Sequence, residues 1–440
     1  METGGRSPDR PETPAALPAT PGRFSESFRA FRHRNYRLFY AGQSISLIGT
    51  WMQTIAQAWL VLEITDSKMA LGVVTMLQFL PITLLVLFAG VIADRVRKRD
   101  FLVLTQLLAM AQALTLAILV FTGAVELWHV YVLALVLGFS NAFDMPTRQA
   151  FAIEMVGRKD LVNAVALNSG MFNGARLIGP AIGGFIIAAF GVKTVFLLNG
   201  ISFIPVLLSL AAVRTSELHS AERTEERAHP LAELRDGISY ALRTPATLLV
   251  IILVALIGMF GYNFTVMLPL ITRYVLHGDS VALGFLTASV GFGALVAALL
   301  LAGRKAATRY QLFLGAGAFT FFLAGVALSQ HLLLTMLLLV GLGAAGATFG
   351  TTANTAIQIA TPDHLRGRVV SLYMLLFAGS TPVGGYLTGF MAEHIGTQAA
   401  IGVLAAMCGV GVIAGSLYYL THKAAVQGTA DSSRRAPAAS

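Results

Sequence analysis

Apolar runs, each closed by a short polar or basic stretch, recur along the chain from residue 37 to residue 420. They fall at 37–62, 69–93, 101–121, 127–147, 163–189, 193–213, 246–271, 281–302, 311–330, 332–358, 369–391 and 397–420. A helix needs about 20 apolar residues to cross the hydrocarbon of a bilayer, so each of the twelve runs predicts one transmembrane helix. No alternating strands punctuated by Asn-Gly or Asp-Gly turns are present, and barrels do not carry runs this long, so the chain reads as packed helices.

The polar stretches divide the chain. Residues 1–36 are rich in Pro, Ser, Thr, Arg and Glu and contain no apolar signal-peptide core, which predicts a disordered tail; residues 422–440 predict another. Segment 214–243, the one long internal polar stretch, separates six spans (37–213) from six more (244–421). Within it, Leu231 to Leu242 has apolar residues at helical spacing and predicts an amphipathic surface helix.

Composition agrees: of 440 residues, 56% are hydrophobic and 12% charged, against about 25% charged in soluble domains. The net charge of +9 raises the possibility of a nucleic-acid partner. Its distribution argues otherwise. Assigned to alternate sides, 27 of 31 Lys and Arg fall on the side of the termini and only Lys68, Lys193 and Arg273 on the other, with Arg176 inside a span. The positive-inside rule then places both termini in the cytoplasm. The single Cys408 excludes a disulfide framework, and the nine scattered histidines show no metal-ligand spacing; neither metal nor cofactor is expected.

The halves also resemble each other. "ALG" opens the second span at 70–72 and the eighth at 282–284; "GFIIAAFG" at 184–191 is matched by "GFMAEHIG" at 389–396. Repeated halves are a mark of secondary transporters, with the substrate site between them near the bilayer midplane.

Between spans two and three the chain reads "GVIADRVRKRD" (90–100). Gly90, Asp94, Arg95, Lys98 and Arg99 fit the G-x-x-x-D-R-x-G-R-K/R pattern of the major facilitator superfamily, with Arg97 where Gly is usual. Nearly the whole chain after residue 36 resembles that family. The resemblance implies an all-α fold of twelve transmembrane helices in two pseudo-symmetric six-helix bundles, working as a monomer in a bacterial inner membrane. Asp94 can face a helix N-terminus of the other half while neighbouring cations hold an acid. A cluster of Asp94, Arg95 or Lys98, Asp144 and Arg148 is therefore expected to latch the halves on the cytoplasmic side; the alternative is that these cations only set topology. A remnant, "AGRKAATR" (302–309), lies at the equivalent place in the second half.

Span five carries Gly179, Pro180, Gly183 and Gly184, which resemble the antiporter motif of exporters in this superfamily. "FDMPTRQAF" and "NGARLIGP" further resemble the branch that contains the enterobactin exporter and macrolide efflux proteins. The implied activity is export of a small amphipathic drug, secondary metabolite or siderophore; import of a nutrient, or lipid transport, is the alternative.

Arg176 lies midway along its span, where a cation costs about 2.5–3.5 kcal/mol. It either lines the central cavity and attracts an anionic or electron-rich group, or is a structural cation tied to a neighbouring carbonyl. Gln43, Trp51, Gln53, Gln57, Asn173, Tyr262, Asn263, Asn354, Gln358 and Tyr373 are candidate cavity liners, each equally able to serve as a hydrogen bond between helices. With no G-x-x-x-x-G-K-[ST] loop, an ion gradient, most simply protons, is the expected energy source. No acid lies plainly at mid-membrane: Glu63, Asp66, Glu126 and Glu393 fall near the outer ends and Asp144 near the inner one, so each reads first as a capping or topology residue, with Asp144 and then Glu63 the candidate carriers. Exchange of a second solute is the other option.

Overall fold

A computed structural model describes residues 28–219, 230–301 and 308–423. The outer parts of both expected tails, part of the linker and the 302–307 portion of the basic remnant lie outside the described residues, as do the surroundings of Gly90 and the side chain of Asp94. The described chain is helical almost throughout, as lipid requires when no water can satisfy backbone groups.

The helices are α1 (Arg34–Thr65), α2 (Lys68–Arg95), α3 (Lys98–Phe121), α4 (Leu127–Phe190) and α5 (Val192–Ala211) in the first half. After the linker helix α6 (Pro230–Arg243), the second half contains α7 (Pro245–Gly261), α8 (Phe264–Tyr274), α9 (Ser280–Leu301), α10 (Arg309–Leu328) and α11 (Leu332–Ala360). It ends with α12 (Asp363–Phe377), α13 (Thr381–Ile395) and α14 (Thr397–Thr421). Eleven stretches are long and apolar enough to span a membrane, and one of them is the 64-residue α4. At Gly157 that helix breaks, with φ 71° and ψ 173°, a left-handed conformation that glycine adopts without steric cost. Its two limbs, 127–156 and 158–190, are separate crossings, which restores twelve.

The expected loop at 148–159 is thus largely helical. Phe151, Ala152, Met155 and Val156 are buried at helical spacing, so the fourth span continues beyond the bilayer as an overhang packed on its own half. The fold also begins before residue 37: the turn Arg29–Arg32 docks on the second limb of α4, where the Ala30 amide donates to Asn163 Oδ1 (2.9 Å) and Asp160 meets Arg29 and His33. The expected linker helix is present. It sits on the second half, with Arg368 reaching Asp236 (2.8 Å) and the Tyr240 hydroxyl donating to the Ala360 carbonyl (2.8 Å).

Two spans are broken at midlength. The seventh is divided into α7 and α8 by Tyr262 and Asn263, and the eleventh into α12 and α13 at 378–380. The ends of the described chain, Phe28 and Lys423, and the linker helix α6 lie at one end of the molecule, hereafter the terminal face; the short connections at 66–67, 122–126, 191, 275–279, 329–331 and 396 form the far face. Large apolar side chains such as Ile118, Leu299, Phe321 and Ile413, each more than 60% exposed, clothe the perimeter where lipid would lie.

The internal repeats explain how the halves meet. Gly72, from the first "ALG", packs on Gly389, which opens "GFMAEHIG"; Gly284, from the second "ALG", packs on Gly184, which opens "GFIIAAFG". A Cβ added to Gly72 would lie 3.1 Å from Gly389 Cα, and one added to Gly184 would lie 3.2 Å from Gly284 Cα. One motif pair, used twice with the halves exchanged, makes both seams, α2 on α13 and α4 on α9. Only residues without side chains let backbones approach this closely.

Candidate functional site

Helix α4 points Arg176 into the space between the halves. At 100° per residue, Gly179 and Gly183 lie on one side of it and Leu177 and Gly184 on the other. Gly179 and Gly183 abut Trp51, Met52 and Ile55 of α1, while Leu177 and Gly184 abut Gly291 and Gly284 of α9. The antiporter-like motif therefore serves two contacts: Gly179 and Gly183 within a half, and Gly184, with the Pro180 carbonyl beside Gly284, between halves. Both neighbours of the Arg176 sector are occupied by helices, and the guanidinium projects between them.

Aromatic rings receive it. The guanidinium carbon lies 5.7 Å from the Trp51 ring of the first half and 5.9 Å from the Phe264 ring of the second. Phe172 packs edge-on against Trp51. On the other side, Tyr262 stacks on Phe319 (5.0 Å) and touches Phe377 (4.6 Å) and Phe264 (5.8 Å), with its hydroxyl donating to the Gly346 carbonyl (2.6 Å). Tyr373 stacks on Phe377. Sequence reasoning placed Arg176, Trp51, Tyr262 and Tyr373 but missed Phe172, Phe264, Phe319 and Phe377, because a phenylalanine in an apolar span carries no contrast.

The space narrows toward the far face. Residues 184, 177 and 170 share one face of α4 at seven-residue spacing. Gly184 and Leu177 touch α9, whereas a Cβ on Gly170 would have nothing within 4 Å. The cleft along this seam thus opens toward the terminal face.

Polar groups close the far end. Asp66 accepts from the Tyr274 hydroxyl (2.8 Å) and pairs with Arg273 (3.1 Å), across the halves. The Tyr274 hydrogen bond, then the Arg273 charge, hold the Asp66 carboxyl below its ordinary range. Glu393, at the end of α13, caps α2 of the other half: Oε2 accepts from the amides of Lys68 (2.7 Å) and Met69 (3.1 Å) and from the Ser67 hydroxyl (3.4 Å). The sequence suggests Glu393 as a capping or topology residue; that the helix it caps belongs to the opposite half is not legible there.

Several expected cavity liners are spent elsewhere. Gln53 donates to Gln112 (2.8 Å) and accepts from Asn199 (2.7 Å), tying α1 to α3 and α5, and Gln57 donates to Gln78 (3.1 Å) of α2. Gln43 and Asn263 are 3% and 1% exposed inside helix packing. Asn173 donates to the Ser169 carbonyl of its own helix, and Gln358 to Asn354, both on α11 and partly or fully exposed.

At the terminal face the expected cluster divides. Asp144 is buried and holds Arg148, Thr105 and Gln106, all within the first half. Lys98 pairs with Glu154 (2.9 Å), not with Asp144. The reason is height: Lys98 begins α3, level with the α4 overhang, whereas Asp144 lies ten residues, about 15 Å, further in. Arg95 is exposed.

Known proteins resemble the chain over most of its length. The model of a family described as transmembrane secretion effector matches residues 25–438. A staphyloferrin A transporter of Staphylococcus aureus is 27% identical, covering 82% of this chain and 90% of its own. The multidrug efflux pump Tap of Mycolicibacterium fortuitum is 28% identical (80% and 87%), and macrolide efflux protein A of Streptococcus pyogenes is 23% identical (83% and 92%). Among solved structures, a bacterial homologue of the lysosomal transporter Spinster superposes with a TM-score of 0.68 at 15% identity, covering 93% of this chain and 99% of its own. A POT family transporter gives 0.71 at 12% identity (89% and 96%).

Proposed function

Because the chain belongs to the transmembrane secretion effector family, a drug and siderophore efflux branch of the major facilitator transporters, we propose that it exports a small amphipathic molecule by alternating access. The observation that carries this reading is the midspan chamber. Rings from both halves flank one cation beside a cleft that the α4–α9 seam closes at Gly184 and Leu177 and leaves without a neighbour at Gly170, toward the terminal face. Rings offer apolar surface and Arg176 a polar anchor, the mixture that suits an amphipathic cargo. The distribution of basic residues supports a cytoplasmic terminal face in a bacterial plasma membrane, so the chamber would load from inside the cell.

Rocking of the halves would open the far face and close the terminal one. In that state Asp94, with Arg95 and the Lys98 region, is the proposed cytoplasmic latch, and proton antiport through Asp144 or Glu63 is the proposed coupling. Asp94→Asn is expected to impair transport at unchanged membrane insertion; full activity in that variant would remove the latch. The export reading is tested by an efflux panel of antibiotics and siderophores in a pump-deficient host, repeated after collapse of the proton gradient. Accumulation unchanged by expression across the panel would overturn it.

A further inference from the structure

Arg176 is a cation at midspan, and among the described residues no acid stands beside it. No hydrogen-bond or ion-pair partner of its guanidinium is found among the described residues; its neighbours there are the Trp51 and Phe264 rings. The described carboxylates lie elsewhere: Glu63, Asp66, Glu126, Asp279 and Glu393 toward the far face, and Asp100, Glu154, Asp160, Glu217 and Asp236 at the terminal face. Asp144 is already held by Arg148, Thr105 and Gln106. Cation–π contacts near the 6 Å limit offset part of the cost of a midspan cation but bring no counter-charge.

A second feature points the same way. The seventh span restarts as the eleven-residue α8 at Phe264, whose ring touches the guanidinium, and Asn263 provides no side-chain cap there. The positive end of a broken helix and an uncompensated guanidinium therefore meet at one level, an arrangement that favours an anion in transporter sites.

We infer that the transported molecule is an organic anion, a carboxylate carried on a planar unsaturated body, and that Arg176 takes the carboxylate while Trp51, Phe264 and Tyr262 take the plane. A guanidinium presents two parallel N–H donors to a carboxylate, which an ammonium cannot do. This inference rests on the export reading and specifies its cargo.

The test uses the full chain with Trp59→Phe and Trp128→Phe, leaving Trp51 as the sole tryptophan and a reporter within the chamber. Quenching of Trp51 fluorescence is titrated with 4-nitrobenzoate, neutral 4-nitrobenzamide and cationic 4-nitrobenzylammonium. The benzoate is expected to bind at least about tenfold more tightly than the amide. Arg176→Gln should reduce that ratio to near one while leaving amide binding, and hence the folded chamber, intact; Arg176→Lys should keep part of it. Equal binding of acid and amide, or a preference unaffected by Arg176→Gln, overturns the inference. Efflux in cells is scored separately: active efflux without anion preference defeats only this inference, and anion preference without efflux defeats only the export reading.

Discussion

Removing the Glu393 carboxylate should loosen the far face without disturbing the helices that meet there. In the closed arrangement Glu393 satisfies two otherwise unpaired amides at the start of α2, with the negative charge at the positive end of the helix. Capping bonds of this kind contribute about 1 kcal/mol, and the charge about 0.3–1 kcal/mol when exposed, as Glu393 is. With allowance for solvent screening, Glu393→Ala should cost the closed form about 1 kcal/mol, a change of about fivefold in the equilibrium between far-closed and far-open forms. Glu393→Gln keeps an acceptor oxygen and loses only the charge, so about half that energy, or about twofold, is expected. Helix α2 itself should persist, because Ser67 independently caps the Ala70 amide (3.1 Å).

Spin labels at Lys193 and His331, exposed far-face positions on opposite halves, would report the distance distribution in a Cys408→Ser background. The expected outcome is growth of a longer-distance population, larger for Ala than for Gln. Identical distributions in all three proteins would refute the reasoning, because the seams alone would then hold the far face shut.

The ion pair beside it gives a pH prediction. The closed-form Asp66 carboxyl is depressed by Tyr274 and Arg273, so its contribution is complete above the ordinary aspartate value of about 3.9 and is lost as pH falls through the depressed one. The same distance distribution should therefore show no Asp66-dependent change between pH 8 and 5, and loosening only below that range; an Asp66-dependent transition near neutrality would contradict the assignment. At the seam, a Cβ on Gly389 would lie 2.7 Å from the Lys68 carbonyl and 2.9 Å from Gly72 Cα. Gly389→Val should block far-face closure and lower transport by about tenfold or more, whereas Gly402→Val, with nothing within 4 Å, should be neutral in the same efflux assay. Gln53→Leu leaves Gln112 and Asn199 without their shared partner and should cost about 1–3 kcal/mol in thermal stability with an unchanged cargo profile.

How far the sequence could be read depended on contrast. Twelve crossings were legible because apolar length is a property of each segment alone, and the fourth and fifth were resolved even where the helix runs through the expected loop. That overhang was invisible because Phe151, Met155 and Val156 bury against their own half, while their neighbours Arg148, Glu154 and Arg158 made the stretch look like a loop. Arg176 stood out as a charge among apolar residues. Gln53 and Gln57 stood out for the same reason yet serve packing, since an amide in a span satisfies itself equally well against another helix or a cargo. Direction around the helix separates the two, and one chain without its neighbours does not state it. The Lys98 to Glu154 pairing required the heights of two helix ends, which depend on where the Gly157 break falls.

The repeated motifs that form the seams do not form the lock. Gly72 with Gly389 and Gly184 with Gly284 are equivalent contacts, and at both the preceding residues cap their own helix: Ser67 accepts from the Ala70 amide, and Asp279 from the Ala282 amide (2.9 Å). Four residues beyond Gly389 stands Glu393, which reaches across to α2; four beyond Gly184 stands Ala188, which has nothing to offer α9. The α9 seam has instead the Ser280 hydroxyl donating to the Gly184 carbonyl (3.1 Å), a neutral bond of roughly 0.6 kcal/mol in membrane proteins. Charge thus concentrates on the α2 and α13 side of the far face, where Asp66 and Arg273 also meet. Equal backbone seams with unequal caps make the α4 and α9 side the weaker one. Halves that separate from this closed state should part there first, with the Glu393 side acting as the hinge until its cap is broken.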